Sequence, residues 1–230
     1  MQISKDDQEI LDILKSHGNC FVAGGWAMEY ILGCKTKDMD IYVSENVLGL
    51  VGKINKLNNH RDVDLISIKN TDGSSLGKTI FGYYDIGIAE VGYDPRQKVW
   101  VATDRFLKHA GKGVIEYDPA YDVFWYPEKS VMRLEKIQKK LGWKLGSEAK
   151  SFLSIMCKDE ELFFLYPPLY EFFDRNRGNP ELYSFKSIEE LKSFVNPTKE
   201  PNPPFLCLNQ NFQESSTKIL NLSDLVVYST

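Results

Sequence analysis

Phe21-Val22-Ala23-Gly24-Gly25-Trp26-Ala27-Met28-Glu29-Tyr30-Ile31-Leu32-Gly33-Cys34-Lys35-Thr36-Lys37-Asp38-Met39-Asp40-Ile41-Tyr42-Val43 is the stretch whose reading decides the fold. It reads as a short apolar strand, a glycine pair opening a helix, a tight exit at Gly33 and a second strand carrying two aspartates. The glycine pair lets backbone approach a ligand closely, and amides at a helix start favour an anion such as phosphate. Strand side chains alternate faces, so Asp38 and Asp40 project to the same side. Two parallel carboxylates repel each other unless a cation lies between them. Hard oxygen ligands of this kind suit magnesium, which is commonly held by one or two carboxylates together with substrate phosphates. A phosphate cradle beside a metal clamp predicts a nucleotide site.

The same residues carry a resemblance. The order Gly24-Gly25, Gly33, Lys37-Asp38-x-Asp40 resembles the signature of the polymerase-beta-like nucleotidyltransferase superfamily, and its spacing is similar to that of the head domain of tRNA nucleotidyltransferases and bacterial poly(A) polymerases. The Gly-Gly-Trp-Ala wording and the Leu32-Gly33-x-x-Thr36-Lys37 tail are more similar to aminoglycoside and lincosamide nucleotidyltransferases, whose spacer to the aspartates is longer. The resemblance covers about the first hundred residues, and the strand, turn, helix and strand context is what gives such a motif weight. It implies an α/β fold, a mixed sheet flanked by helices, with a mainly helical C-terminal segment. It also implies two magnesium ions held at Asp38 and Asp40, with Gly24, Gly25 and Lys37 at a nucleoside triphosphate. The reaction implied is transfer of a nucleotidyl group to an acceptor hydroxyl, with release of pyrophosphate. An RNA 3′ end, a small aminoglycoside-like molecule and a protein side chain are the acceptors it offers, and a non-catalytic binding member of the fold is the rival from another class. Met28 and Glu29 stand where the tRNA enzymes carry an arginine and an aspartate, and no Glu-Asp-x-x-Arg motif follows. CCA addition is therefore not the first expectation.

The third carboxylate of such a site is expected on a neighbouring strand. Thr79 to Gly92 reads as a long strand, and alternation along it groups Asp85 with Gly87 and Ala89, which leave room for substrate, while Ile86 and Ile88 face a core. Asp85 is accordingly the expected third metal ligand or base. Asp62-Val63-Asp64 is a rival pair, read instead as a solvated strand entry, and Glu90 reads as an exposed strand end. Between these strands, Gly73-Ser-Ser-Leu-Gly77-Lys78-Thr79 resembles a phosphate-binding P-loop until it is counted. Three residues separate Gly73 from the Gly-Lys pair where that motif requires four. With strand character following it, the stretch is expected to be a hairpin loop.

Glu128 to Leu141 is strongly helical, with Val131, Leu134, Ile137 and Leu141 on one stripe. Its basic excess stands out in a chain of 230 residues with net charge -4. Beside the solvated-face reading, the helix is a candidate cation wall across the cleft from the aspartates. Arg133 and Lys136, three apart and so on one face, are assigned to the triphosphate and the leaving pyrophosphate. The overall acidity argues against broad attraction to a polynucleotide backbone.

Elsewhere the sequence predicts scaffold. Ser4 caps a first helix, Trp26 packs a helix rather than stacking on a base, Ser44 caps a third helix, Ser147 caps another, and the aromatics from Phe163 to Phe173 form helical core. A head over residues 1–125, a helical segment completing the cleft over 126–195, and a Pro-rich tether with tail over 196–230 are the expected divisions. Cys20, Cys34, Cys157 and Cys207 have no zinc-ligand spacing and read as reduced thiols. With no apolar run of the roughly 18 residues a membrane helix needs and no secretory signal pattern, a cytoplasmic protein without membrane contact is expected.

Overall fold

The computed structural model describes residues 3–17, 19–44, 48–54, 57, 61–68, 76–117, 127–156, 180–195 and 225–229. Helix α1 (Lys5–Lys15) begins where expected, its Ser4 hydroxyl accepting from the Asp7 amide at 3.1 Å, and it buries Ile10, Leu11 and Leu14. Strand β1 (Cys20–Ala23), helix α2 (Gly25–Leu32) and strand β2 (Asp38–Val43) then reproduce the predicted unit, with Gly33 left-handed at the end of α2. Helix α3 (Leu48–Ile54) leads to β3 (Asp62–Ile68). The residues that would show whether Ser44 caps α3 lie outside the described residues.

The segment predicted as one strand from Thr79 to Gly92 is not one. Residues Leu76–Gly82 form helix α4, Gly87–Ala89 a 3-10 turn, and only Val91–Asp94 strand β4. Leu76, Ile80 and Phe81 recur at helical spacing and are buried, so one apolar stripe, not alternation, decides the local structure. The hairpin-loop expectation fails over residues 76–79, which are helical; residues 69–75 lie outside the described ones.

Strand β5 (Val99–Thr103), helix α5 (Asp104–Lys112), the short β6 (Val114–Ile115), helix α6 (Pro127–Leu141), the short β7 (Lys144–Leu145), helix α7 (Ser147–Met156), strand β8 (Leu182–Phe185), helix α8 (Ile188–Ser193) and strand β9 (Leu225–Ser229) follow. Gly113, left-handed, closes α5. Ser147 opens α7 as its first residue, and the cap comes from a distance: the Glu116 carboxylate accepts from the Glu148 and Ala149 amides at 3.1 and 3.3 Å. The stretch from Phe163 to Phe173 lies outside the described residues.

Among the described residues one seven-stranded sheet runs β8-β5-β4-β1-β2-β3-β9, and β6 pairs with β7 apart from it. The pairing of β2 with β3 is parallel, and the other pairings in the large sheet are antiparallel. The sheet thus takes strands from 182–185 and 225–229 as well as from the first 125 residues. The alternation along β1 separates two cores. Cys20 and Val22 join the main cluster with α1, α2, α3, α5, α6, α7 and α8, while Phe21 and Ala23 join Ile80 and Phe81 of α4 on the other face. Phe21 and Phe81 meet edge to face at 5.5 Å.

Candidate active site

The glycine pair is shaped by what lies against it. Gly24 has φ +71° and ψ -135°, a conformation essentially reserved for glycine, and a side chain there would meet Asp40 Oδ2 at 3.0 Å and the Tyr84 hydroxyl at 3.1 Å. A side chain at Gly25 would meet Thr36 Oγ1 at 3.1 Å. The backbone therefore runs directly against the carboxylate that the sequence assigned to the metal.

The exit loop from α2 into β2 is held by a buried polar network. Asp7 Oδ2 accepts from Trp26 Nε1 at 3.0 Å and from the Tyr30 hydroxyl at 2.6 Å, while Asp7 Oδ1 accepts from Arg61 Nε at 2.8 Å. Arg61 NH1 also donates to Glu29 Oε2 and to the Thr36 carbonyl, each at 3.0 Å, and Glu29 Oε2 accepts from the Thr36 amide at 3.0 Å. Glu29 thereby ties α2 to the loop that delivers Asp38. Trp26 is fully buried and stacks on Trp100 at 5.6 Å, so it packs the helix as expected.

On β2, Asp38, Asp40 and Tyr42 share one face while Met39, Ile41 and Val43 are buried on the other. Parallel register sets Asp38 opposite Asp62 and Asp40 opposite Asp64 on β3. Neighbouring strands are about 4.8 Å apart, so four aspartates form two adjacent rungs. Burial first, then the charges of Asp64 and Asp38, raise the Asp40 carboxyl to about 6, against the opposing charge of Lys136. Among the described residues no three His, Cys, Asp or Glu side chains stand as a ready metal-holding group. The donor chemistry nevertheless fits a hard cation: carboxylates are crowded until one resists ionisation, which is the strain a divalent ion relieves.

A cavity of about 250 Å³ opens over this face. Gly24, Gly25, Asp38, Asp40, Asp85, Arg133 and Lys136 all line it, so seven of the eight residues selected from sequence come together. Lys37, the eighth, is exposed and does not line it. Lys136 Nζ of α6 approaches Asp38 Oδ2 at 4.0 Å across the cleft. Sequence reasoning missed Lys140, one turn beyond Lys136, and the Tyr42 and Tyr84 hydroxyls, hydrogen-bonded to each other at 3.0 Å beside Asp40. Burial, then the neighbouring charge, raises both phenols. The i, i+4 spacing from Lys136 was the available signal for Lys140; nothing in the sequence announced Tyr84.

Asp85 is buried in the bend between α4 and the 3-10 turn, not on a strand. Its Oδ2 accepts from the Ser130 hydroxyl and its Oδ1 from Arg133 NH1 at 2.9 Å, both from α6. Glu90, expected at an exposed strand end, is fully buried, accepting from the Thr103 hydroxyl at 2.6 Å and Arg105 Nε at 2.9 Å. It is a structural anion between β4 and α5.

No family model matches the chain, and no curated protein matches it. Among solved structures it is similar to a CCA-adding enzyme in complex with ATP (TM-score 0.55, 14% identity, 70% of this chain and 45% of that one). It is similar also to the apo form I of a CCA-adding enzyme (TM-score 0.54, 14% identity, 70% and 44%) and to a tRNA-processing enzyme in its apo form I (TM-score 0.53, 15% identity, 72% and 52%). The chain spans about half the length of these structures. At such identities the likeness defines a fold. The chain has the polymerase-beta-like nucleotidyltransferase fold, a mixed sheet flanked by helices.

Proposed function

We propose that the chain is a magnesium-dependent nucleotidyltransferase that moves a nucleoside monophosphate from a triphosphate to an acceptor hydroxyl. The observation that carries this reading is the opposition, across one cleft, of the aspartates of β2 and the basic face of α6. Asp38 and Asp40 would hold magnesium, with Asp64, in register beside Asp40, as the third acid in place of Asp85. The ions, when bound, supply charge neutralisation at the attacking and leaving oxygens.

The remaining work falls to the chain itself. The Gly24-Gly25 backbone brings the triphosphate against β2, and Arg133 and Lys136 balance the charge that collects on the leaving pyrophosphate. The acceptor oxygen attacks the α-phosphorus in line, forming one P–O bond as the bond to the β-phosphate bridge breaks. The hydroxyl proton passes to a carboxylate of the rungs. Orientation of the two substrates in the cleft contributes most of the barrier reduction in such a reaction, since the protein forms no covalent bond.

An RNA 3′ end is the first-choice acceptor, supported by motif spacing and by neighbours named for tRNA processing and CCA addition. The net charge of -4 favours the second reading, a small aminoglycoside-like acceptor. The buried thiols of Cys20 and Cys34 fit a reducing cytoplasm. The test is incubation with α-labelled ATP, CTP, GTP and UTP, magnesium, total tRNA and an aminoglycoside panel. Label is expected in one acceptor class and absent with Asp40→Ala. Nucleotide binding without transfer, unaltered by Asp40→Ala, would instead identify a non-catalytic binding module.

A further inference from the structure

Asp85 lines the cleft, yet both of its oxygens are occupied from α6, by the Ser130 hydroxyl and by Arg133 NH1 at 2.9 Å. Ser130 and Arg133 are three residues apart and so present one face of that helix. The two ends of the ion pair differ in exposure: the Asp85 side chain is 10% exposed and that of Arg133 51%. The guanidinium therefore reaches from a buried anchor out into the cleft. Its Nε donates to the Lys129 carbonyl at 3.4 Å, so Nε and NH1 both help to fix the guanidinium.

A long arginine side chain loses considerable rotamer freedom when it binds an anion, and an anchor that fixes it beforehand removes that loss from the binding step. Each oxygen of the Asp85 carboxylate already accepts one bond, and the guanidinium on one of them is a positive charge that disfavours a second cation there. Asp38, by contrast, has Lys136 Nζ at 4.0 Å, and the same lysine is the cation that acts on Asp40.

We propose that Asp85 is a positioning residue, not a metal ligand: it holds Arg133, with Ser130 as the second grip, so that the guanidinium stands ready for the triphosphate opposite Asp38 and Asp40. The proposal rests on the nucleotidyltransferase reading and assigns within it the residue that sets the height of α6 over the rungs. Asp85 then governs affinity for phosphate through Arg133 and leaves affinity for magnesium untouched.

The test uses the full chain and inorganic tripolyphosphate with magnesium as the probe, followed by titration calorimetry, with each variant first shown to unfold cooperatively. Asp85→Asn and Arg133→Gln are each expected to weaken tripolyphosphate binding by about tenfold or more, the scale of a charge-assisted contact. The double variant is expected to bind no more weakly than the poorer single one, because the two act as a unit. Ser130→Ala is expected to give a smaller loss in the same direction, and the magnesium concentration for half-saturation is expected to stay unchanged throughout. A tenfold rise in that concentration for Asp85→Asn would overturn the proposal and return Asp85 to the metal. So would additive losses, or a loss confined to Arg133→Gln. Failure of the unaltered protein to bind tripolyphosphate with magnesium would overturn the nucleotide reading itself, a result distinct from any difference among variants.

Discussion

Asp40 of β2, which lines the cleft, and Asp64 of β3 occupy partner positions in a parallel register. Burial and this second carboxylate raise the Asp40 carboxyl from 3.8 to about 6. The folded protein therefore binds that proton more tightly than the unfolded chain does. Stability from this group is present in full below about pH 4 and declines as pH rises through 6; above 6 the ionised rungs cost about 3 kcal/mol by linkage. Asp40→Asn removes that cost. Its thermal unfolding midpoint, measured without divalent ions, should exceed that of the unaltered protein by several degrees at pH 7.5, with the two converging near pH 4. A lower midpoint for the variant at pH 7.5 would mean that Asp40 is a stabilising partner rather than a strained one.

Gly24 presses against the same carboxylate. Its positive φ strains any side chain there, and a methyl group would stand 3.0 Å from Asp40 Oδ2, which would have to give way. Gly24→Ala should lower stability by about 1–3 kcal/mol in urea unfolding, the cost of holding such a backbone conformation with a side chain present. A cost near zero would show that the turn rearranges freely.

The network beneath the exit loop should be among the most sensitive places in the fold. Asp7→Ala leaves Trp26 Nε1, the Tyr30 hydroxyl and Arg61 Nε without their buried acceptor. Loss of one partner from a buried charged network costs about 3–5 kcal/mol, enough to unfold many domains of this size. Glu29→Gln keeps most of the shape and should cost less, while loosening Thr36 and so weakening nucleotide binding more than stability. Equal effects from the two substitutions, measured by denaturant unfolding, would contradict the division of labour between them.

The legible part of this chain was local. From Phe21 to Val43 the strand, glycine turn, helix and acidic strand follow from spacing alone, because each step is decided by residues a few positions apart. The helix bearing Arg133 and Lys136 was equally plain from its apolar stripe. Asp85 was read onto a strand because Tyr84-Asp85-Ile86-Gly87-Ile88 alternates in pattern. The decisive fact lay elsewhere: Leu76, Ile80 and Phe81 had a second sheet face to cover, which makes 76–82 helical. Asp64 was set aside because no glycine pair precedes its strand and Ile66 and Ile68 follow on the same face; the parallel register that brings it beside Asp40 is not visible in a lone strand. The partners of Asp85, at separations of 45 and 48 residues, were likewise beyond any window of sequence.

The central claim is that the rungs at Asp38, Asp40 and Asp64 take a divalent cation together with a nucleotide. Thermal unfolding of the full chain with a non-hydrolysable ATP analogue, across a magnesium titration at pH 7.5, tests it most directly. The account predicts that nucleotide and magnesium together raise the midpoint of the unaltered protein beyond the sum of their separate effects, and that Asp40→Asn and Asp64→Asn each abolish this excess. An excess that survives in both variants, or none in the unaltered protein, would contradict it.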